Sequence, residues 1–103
     1  MKKYAEVRYA TASSGVLGRV IFLHFAGVID FDAVVNQITQ TFGGAVKKHT
    51  YSSYEIIFKT DEDSFSVICV KVLGLLMGTG WEPYCILQPS PGATIRHLKY
   101  TYE

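Results

Sequence analysis

The sequence has few cysteines and lacks the familiar motifs of catalysis and metal binding. Cys69 and Cys85 are too few for a disulfide framework and are not spaced as C-x-x-C. The histidines His24, His49 and His97 show no metal-ligand spacing, although they could still converge in space. Nucleotide-binding glycine loops and the G-x-S-x-G nucleophile motif are also absent. We therefore expect no catalytic residue, no metal and no cofactor, and the sequence favours a protein that is not an enzyme.

The chain is also poor in charge. Charged residues make up 18% of the 103 residues and hydrophobic residues 49%, whereas ordinary soluble domains contain about 25% charged residues. A chain of this length forms a single domain, residues 1–103, that can bury a core without disulfides. Because few polar side chains remain to cover the outside of a monomer, we expect a homo-oligomer or a complex with a protein partner.

No segment has the features of a leader peptide or a membrane span. The N-terminal sequence MKKYAEVRYA alternates polar and apolar residues and does not continue into the apolar region of a signal peptide. The longest apolar run is interrupted by Lys71 and is shorter than the roughly 20 residues that cross a bilayer. We therefore expect a cytoplasmic protein without a membrane partner.

The most informative stretch is the apolar run FSVICVKVLGLLMGTGWE, residues 65–82. Its large apolar residues recur at the spacing of one helical face. These residues are Phe65, Ile68, Cys69, Val72, Leu73 and Leu76. Acidic capping residues precede the run and Gly78 can end a helix. The β-branched residues of the run leave open a hairpin over residues 54–72, but the pattern favours a helix.

The remaining segments predict six strands and one further helix. Alternating or apolar stretches predict strands at residues 3–10, 19–25, 46–51, 54–59, 83–88 and 94–102, with a loop at 11–18. An amphipathic stripe from Phe31 to Phe42 predicts a helix capped by Asp30 or Asp32. The resulting order is ββαββαββ. It predicts an α+β fold with one antiparallel or mixed sheet, two helices on one face and a ferredoxin-like centre between residues 19 and 88.

In such a fold the second helix would expose apolar side chains on its outer face. Val67, Val70 and Met77 would surround the only charge on that face, Lys71. Exposed apolar patches of this kind are typical of interaction surfaces. We predict an interface at Val67, Val70, Lys71 and Gly74, with a free sheet edge as the alternative location.

Two glycines of this helix allow two interpretations. Gly74 and Gly78 are four residues apart, a spacing that lets another backbone approach closely. Alternatively, Gly78 only ends the helix and Gly74 makes room for Trp81 or for a strand. Because glycine is common at helix ends, the sequence favours the second interpretation.

The end of this helix resembles a known type of domain. Leu73, Leu76, Gly80, Trp81 and Glu82 form the pattern L-x-x-L-x-x-x-G-W-E, which is similar to the helix ending of short bacterial domains of unknown function. Those domains continue into two strands, the last rich in aromatic and basic residues, as HLKYTYE is here. The resemblance covers the final third of the chain. It implies a helix followed by a hairpin and carries over no catalytic residue.

A second hypothesis is a small-molecule-binding protein or small enzyme with a pocket between the helices and the sheet. His24 lies in the most apolar predicted strand and Trp81 directly follows the second helix. We predict that these two residues line the pocket. Both residue types are also typical of a satisfied protein core in such positions.

A third hypothesis is RNA binding through a basic patch of Lys47, Lys48, Arg96 and Lys99. The central βαββαβ order superficially resembles an RNA-recognition motif. However, the segment SSYEIIFK lacks the aromatic residues that would stack on bases. The net charge of +1 also provides no global attraction to phosphates. Nucleic acid is therefore not the expected partner.

Overall fold

A computed structural model describes residues 3–14, 18–90 and 93–102. The elements are β1 Lys3–Ser14, β2 Gly18–Ala26, α1 Phe31–Phe42, β3 Ala45–Thr50, β4 Ser53–Phe58, α2 Glu62–Gly78, β5 Trp81–Ser90 and β6 Ala93–Tyr102. The six strands of these described ranges form one sheet in the order β3-β4-β2-β1-β6-β5, and all neighbouring pairs are antiparallel. The predicted α+β class and element order are confirmed.

The centre of the sheet departs from the ferredoxin-like order that the sequence predicts. Strands β3, β4 and β2 do follow that order, in which the next strand, β5, would pair with β2. Instead β1 pairs with β2 and β6 pairs with β1, so that β5 lies at the far edge. The predicted loop over residues 11–18 is in part strand, because β1 continues to Ser14. Strand β1 therefore takes the position beside β2 that β5 would have in a ferredoxin-like sheet.

Both helices begin at an aspartate. The side chain of Asp30 accepts a hydrogen bond from the backbone N–H of Ala33, and that of Asp61 accepts one from the N–H of Ser64. These bonds satisfy amides that have no partner within the helix. Asp30, and not Asp32, is thus the cap of α1. Residues 62–78 form a helix, so the alternative hairpin over residues 54–72 is not formed.

The two helices lie on the same face of the sheet and enclose the core with it. Strand residues alternate between the two faces, and those of the core cluster point to the helices. The buried core residues are Ala5, Val7, Tyr9, Ile21, Leu23, Phe25, Phe31, Val35, Ile38, Tyr54, Ile56, Phe58, Phe65, Val72, Leu76, Trp81 and Leu98. We call the other side, which no described helix covers, the open face of the sheet. Among the described residues, no helix is long and apolar enough to cross a membrane.

Candidate functional site

The outer face of α2 carries exposed apolar side chains. We define this face as Asp63, Val67, Val70, Lys71, Gly74 and Met77, which recur every three or four residues on the side away from the sheet. The side chains of Val67, Val70 and Met77 are 52%, 70% and 53% exposed. The opposite side of the helix is packed, since Phe65, Val72 and Leu76 are buried. All four residues of the predicted interface are therefore accessible in the monomer.

Among the residues that the structure describes, none packs closely against Gly74. A Cβ atom built at this position meets nothing within 4 Å, and the same holds for Gly78. The interpretation that Gly74 makes room for Trp81 or for a strand is therefore wrong. Glycine inside a helix costs about 1 kcal/mol relative to alanine. The cost at Gly74 is not offset by any close contact among the described residues.

The two edges of the sheet are poorly suited to pairing with another strand. At one edge, β5 contains Pro83, which has no N–H to donate, and its register is irregular between Pro83 and Cys85. At the other edge, β3 is only six residues long, contains Lys47 and Lys48, and has an irregularity between Lys48 and Thr50. Prolines, lysines, bulges and short strands are features that block edge-to-edge association.

The open face carries a row of polar side chains on four neighbouring strands. Ser53 of β4 pairs with His24 of β2, His24 pairs with Arg8 of β1, and Arg8 pairs with His97 of β6. Cross-strand partners lie on the same face about 5 Å apart. His24 and His97 are thus on either side of Arg8. Within the described residues, no group of three or more side chains could hold a metal ion.

A cavity of about 420 Å³ lies at one end of this row. Its lining includes Arg8, Ala10, Phe22, His24, His49 and Ser53. This volume is within the range of about 300–1,000 Å³ that is typical of small-molecule sites. The open face therefore contains a concave site with an apolar floor and a few polar groups at its rim.

Each imidazole of the cavity has a polar partner. His24 Nδ1 is hydrogen-bonded to the hydroxyl of Ser53, and His49 Nε2 lies 2.9 Å from a carboxylate oxygen of Glu55. The close contacts between basic and acidic side chains of the described residues are His49–Glu55 and Lys48–Asp32, and neither includes Arg8. The guanidinium of Arg8 is therefore the fixed positive charge of the cavity.

His24 and Trp81 do not share a pocket, which corrects the sequence-based hypothesis. His24 is exposed on the open face, whereas Trp81 is 3% exposed and its ring centroid lies 6.1 Å from that of the core residue Phe25. Trp81 borders a separate depression of about 240 Å³ between the helices and the sheet. The strand alternation explains the error, because consecutive residues of β2 point to opposite faces.

The predicted basic patch is not assembled. Lys47 and Lys48 lie on β3, and Arg96 and Lys99 on β6, with three strands between them. Strand neighbours are about 4.8 Å apart, so the two pairs are separated by roughly 19 Å. Lys48 is also bonded to Asp32, and Lys99 lies opposite Glu82. No feature of the described sheet therefore gathers these four charges into one phosphate-binding surface.

A polar cluster that the sequence analysis missed links α1 to the β3–β4 hairpin. The hydroxyl of Tyr54 donates to Asp32 at 2.6 Å, and the ammonium of Lys48 donates to the same carboxylate at 2.9 Å. The Tyr54 hydroxyl first, and Lys48 second, hold the pKa of Asp32 below its usual value. Burial raises the pKa of Tyr54. The cluster has partners for all its charges and is structural.

Comparison with known proteins gives a fold relationship. No family model matches the chain, and no curated protein matches it. The crystal structure of a conserved kinetoplastid-specific protein from Trypanosoma cruzi is similar, with a TM-score of 0.56 and 14% sequence identity over 99% of this chain and 98% of that chain. At this identity the likeness shows the fold alone. The resemblance to bacterial domains with a Gly-Trp-Glu motif stays a prediction.

Proposed function

We propose that the protein is a non-enzymatic, self-associating interaction module in which the outer face of α2 binds the same face of a second copy. The observation that carries the proposal is the exposure of Val67, Val70 and Met77 on a helix whose other side is packed. Two-fold symmetric pairs are the commonest homo-oligomers. Such a pair would cover the apolar side chains of both copies.

Charge complementarity supports a second copy as the occupant. Because α2 begins at Glu62, Asp63 joins Lys71 as a charge of the outer face, and both are exposed. In an antiparallel pair centred between Val67 and Val70, these valines of both copies meet at the centre. Lys71 then lies within one helical turn, about 5 Å along the axis, of Asp63 of the other copy. Gly74 lies opposite that aspartate and lets the helices approach closely.

The size of the surface indicates a weak dimer. Helix α2 has 17 residues and is therefore about 25 Å long. One face of such a helix buries less than the roughly 800 Å² per partner of a standard interface. We expect a dissociation constant in the micromolar range, on the order of 10 μM.

The features of the two sheet edges favour α2 as the surface of self-association. Pro83 on β5 and the lysines of β3 weigh against strand addition at either edge.

We also propose that the protein is cytoplasmic. Cys69 and Cys85 are free thiols. Free thiols without disulfides are typical of a reducing compartment.

Sedimentation velocity over a range of protein concentrations tests the proposal. The wild-type protein should convert from monomer to dimer as its concentration rises. Val70→Glu should remain monomeric at about 100 μM, because it places two carboxylates at the centre of the interface. Val28→Glu is the matched control, since Val28 is 84% exposed but lies outside α2, and it should dimerise normally. A monomeric wild-type protein, or equal loss in both variants, would contradict the proposal.

A charge exchange tests the antiparallel arrangement. Lys71→Glu and Asp63→Lys should each weaken the homodimer several-fold, because like charges then face one another. A mixture of the two variants should recover the wild-type affinity, since each altered charge meets an opposite charge on the other copy. Positions 63 and 71 are about 12 Å apart along one helix, so the recovery cannot arise within a single chain. A mixture no tighter than either variant would rule out this arrangement.

A further inference from the structure

We propose that the open-face cavity is a binding site for a small carboxylate with a flat apolar body, such as an aromatic acid. The cavity of about 420 Å³ is on the side of the sheet opposite α2 and is separate from the self-association surface. Its one fixed charge is Arg8, which is exposed and forms no ion pair among the described residues. An unpaired guanidinium beside an apolar cavity is suited to an anion.

The chemistry of the rim selects a carboxylate. The planar guanidinium of Arg8 can hold both oxygens of a carboxylate with parallel N–H donors. His24 lies directly across from Arg8 on the neighbouring strand. When the hydroxyl of Ser53 donates to His24 Nδ1, Nε2 carries the ring proton and becomes a second donor for the anion.

The floor of the cavity selects a flat apolar body. Ala10 and Phe22 are cross-strand partners on the open face, one row away from Arg8 and His24. The small side chain of Ala10 leaves space beside the ring of Phe22, and both residues are partly exposed. An aromatic ring can stack on Phe22 while its carboxylate reaches Arg8. Inorganic phosphate would use the charge but not this surface.

Titration of the isotope-labelled protein with sodium benzoate, followed by amide chemical shifts, tests the proposal. Benzoate should shift the amides around Arg8, Phe22 and His24 with a dissociation constant on the order of 1 mM, as expected for a ligand of its size. Benzamide, which has the same shape without the charge, should bind at least about 10-fold more weakly. Inorganic phosphate should bind more weakly by a similar factor.

A matched pair of variants separates the site from general surface charge. Arg8→Gln should weaken benzoate binding about 10-fold, and the amide spectrum of the free variant should show that the fold is kept. Lys99→Gln removes an equal charge from the same face, one row away, and should change the affinity less than about twofold. The proposal is overturned if benzoate shifts no cavity amide, if benzamide or phosphate binds equally well, or if both variants weaken binding equally.

Discussion

At the scale of single residues, polar contacts join elements that are distant in sequence. Tyr54 on β4 reaches Asp32 on α1, and Tyr9 on β1 donates to the backbone carbonyl of Cys69 on α2 at 3.2 Å. Tyr9 is completely buried, and burial raises its pKa. Its hydroxyl nevertheless has an acceptor, as buried polar groups require. These bonds fix where each helix lies on the sheet.

The Tyr54–Asp32 bond predicts a pH-dependent loss of stability. Tyr54→Phe should lower the free energy of unfolding at pH 7, since it removes a hydrogen bond to a charged acceptor. The folded-state pKa of Asp32 lies below its ordinary value of 3.8, so the stabilisation is present above that value and is lost as the pH falls through the folded-state pKa. Denaturant unfolding at several pH values should therefore show a deficit that shrinks on acidification.

Tyr51→Phe is the control for this measurement. Tyr51 is 78% exposed, and the substitution removes a hydroxyl that contacts no carboxylate among the described residues. It should leave the stability unchanged at every pH. A deficit in Tyr54→Phe that stayed constant on acidification would show that the bond to Asp32 does not cause it.

At the scale of elements, α2 follows closely from its sequence. The apolar spacing from Phe65 to Leu76 and the acidic cap at Asp61 predict both the helix and its buried side. The close approach of Gly27 to another strand is a feature that such local patterns do not predict. The φ angle of Gly27 is +110°, and a Cβ atom there would lie 2.8 Å from Cα of Ala5. Close approach between two strand ends depends on the tertiary arrangement, which no local pattern contains.

Gly74→Ala should have opposite effects on α2 and on the dimer. The substitution should stabilise the monomer by up to about 1 kcal/mol, because alanine loses less backbone entropy in a helix and meets no neighbouring atom here. It should at the same time weaken self-association, since the added methyl group separates the two helices. Thermal unfolding and sedimentation measure the two effects.

Asn36→Ala is a comparable change on α1, away from the outer face of α2, and should leave dimerisation unchanged. Asn36 is exposed, and alanine likewise has the higher helix propensity at this position. If Gly74→Ala stabilised the monomer without weakening the dimer, Gly74 would have no part in helix contact.

At the scale of the whole molecule, the sequence predicts the helices and strands but not which strands pair with one another in the sheet. Alternation along β1 and β2 shows which residues of each strand share a face. To predict that His24 lies beside Arg8, one must also know the register between β1 and β2. The sheet order, with β6 between β1 and β5, depends on pairing between distant segments. Hence the exposed apolar residues of α2 could be predicted from the pattern within one helix. The cavity combines residues of four strands, β1 to β4, and could not be predicted in this way.

The six-stranded sheet separates the two proposed surfaces, and this predicts that they act independently. The outer face of α2 points to solvent on the helix-covered side of the sheet, whereas Arg8 and His24 lie on the open face. Val70→Glu should therefore abolish dimerisation and leave the affinity for benzoate within about twofold of wild type. By thermodynamic reciprocity, saturating benzoate should likewise leave the dimer dissociation constant unchanged.

Titration of the monomeric variant measures its affinity for benzoate, and sedimentation with benzoate measures the dimer dissociation constant. A change of more than about fivefold in either would correspond to a coupling free energy of about 1 kcal/mol and would show that the open face takes part in assembly.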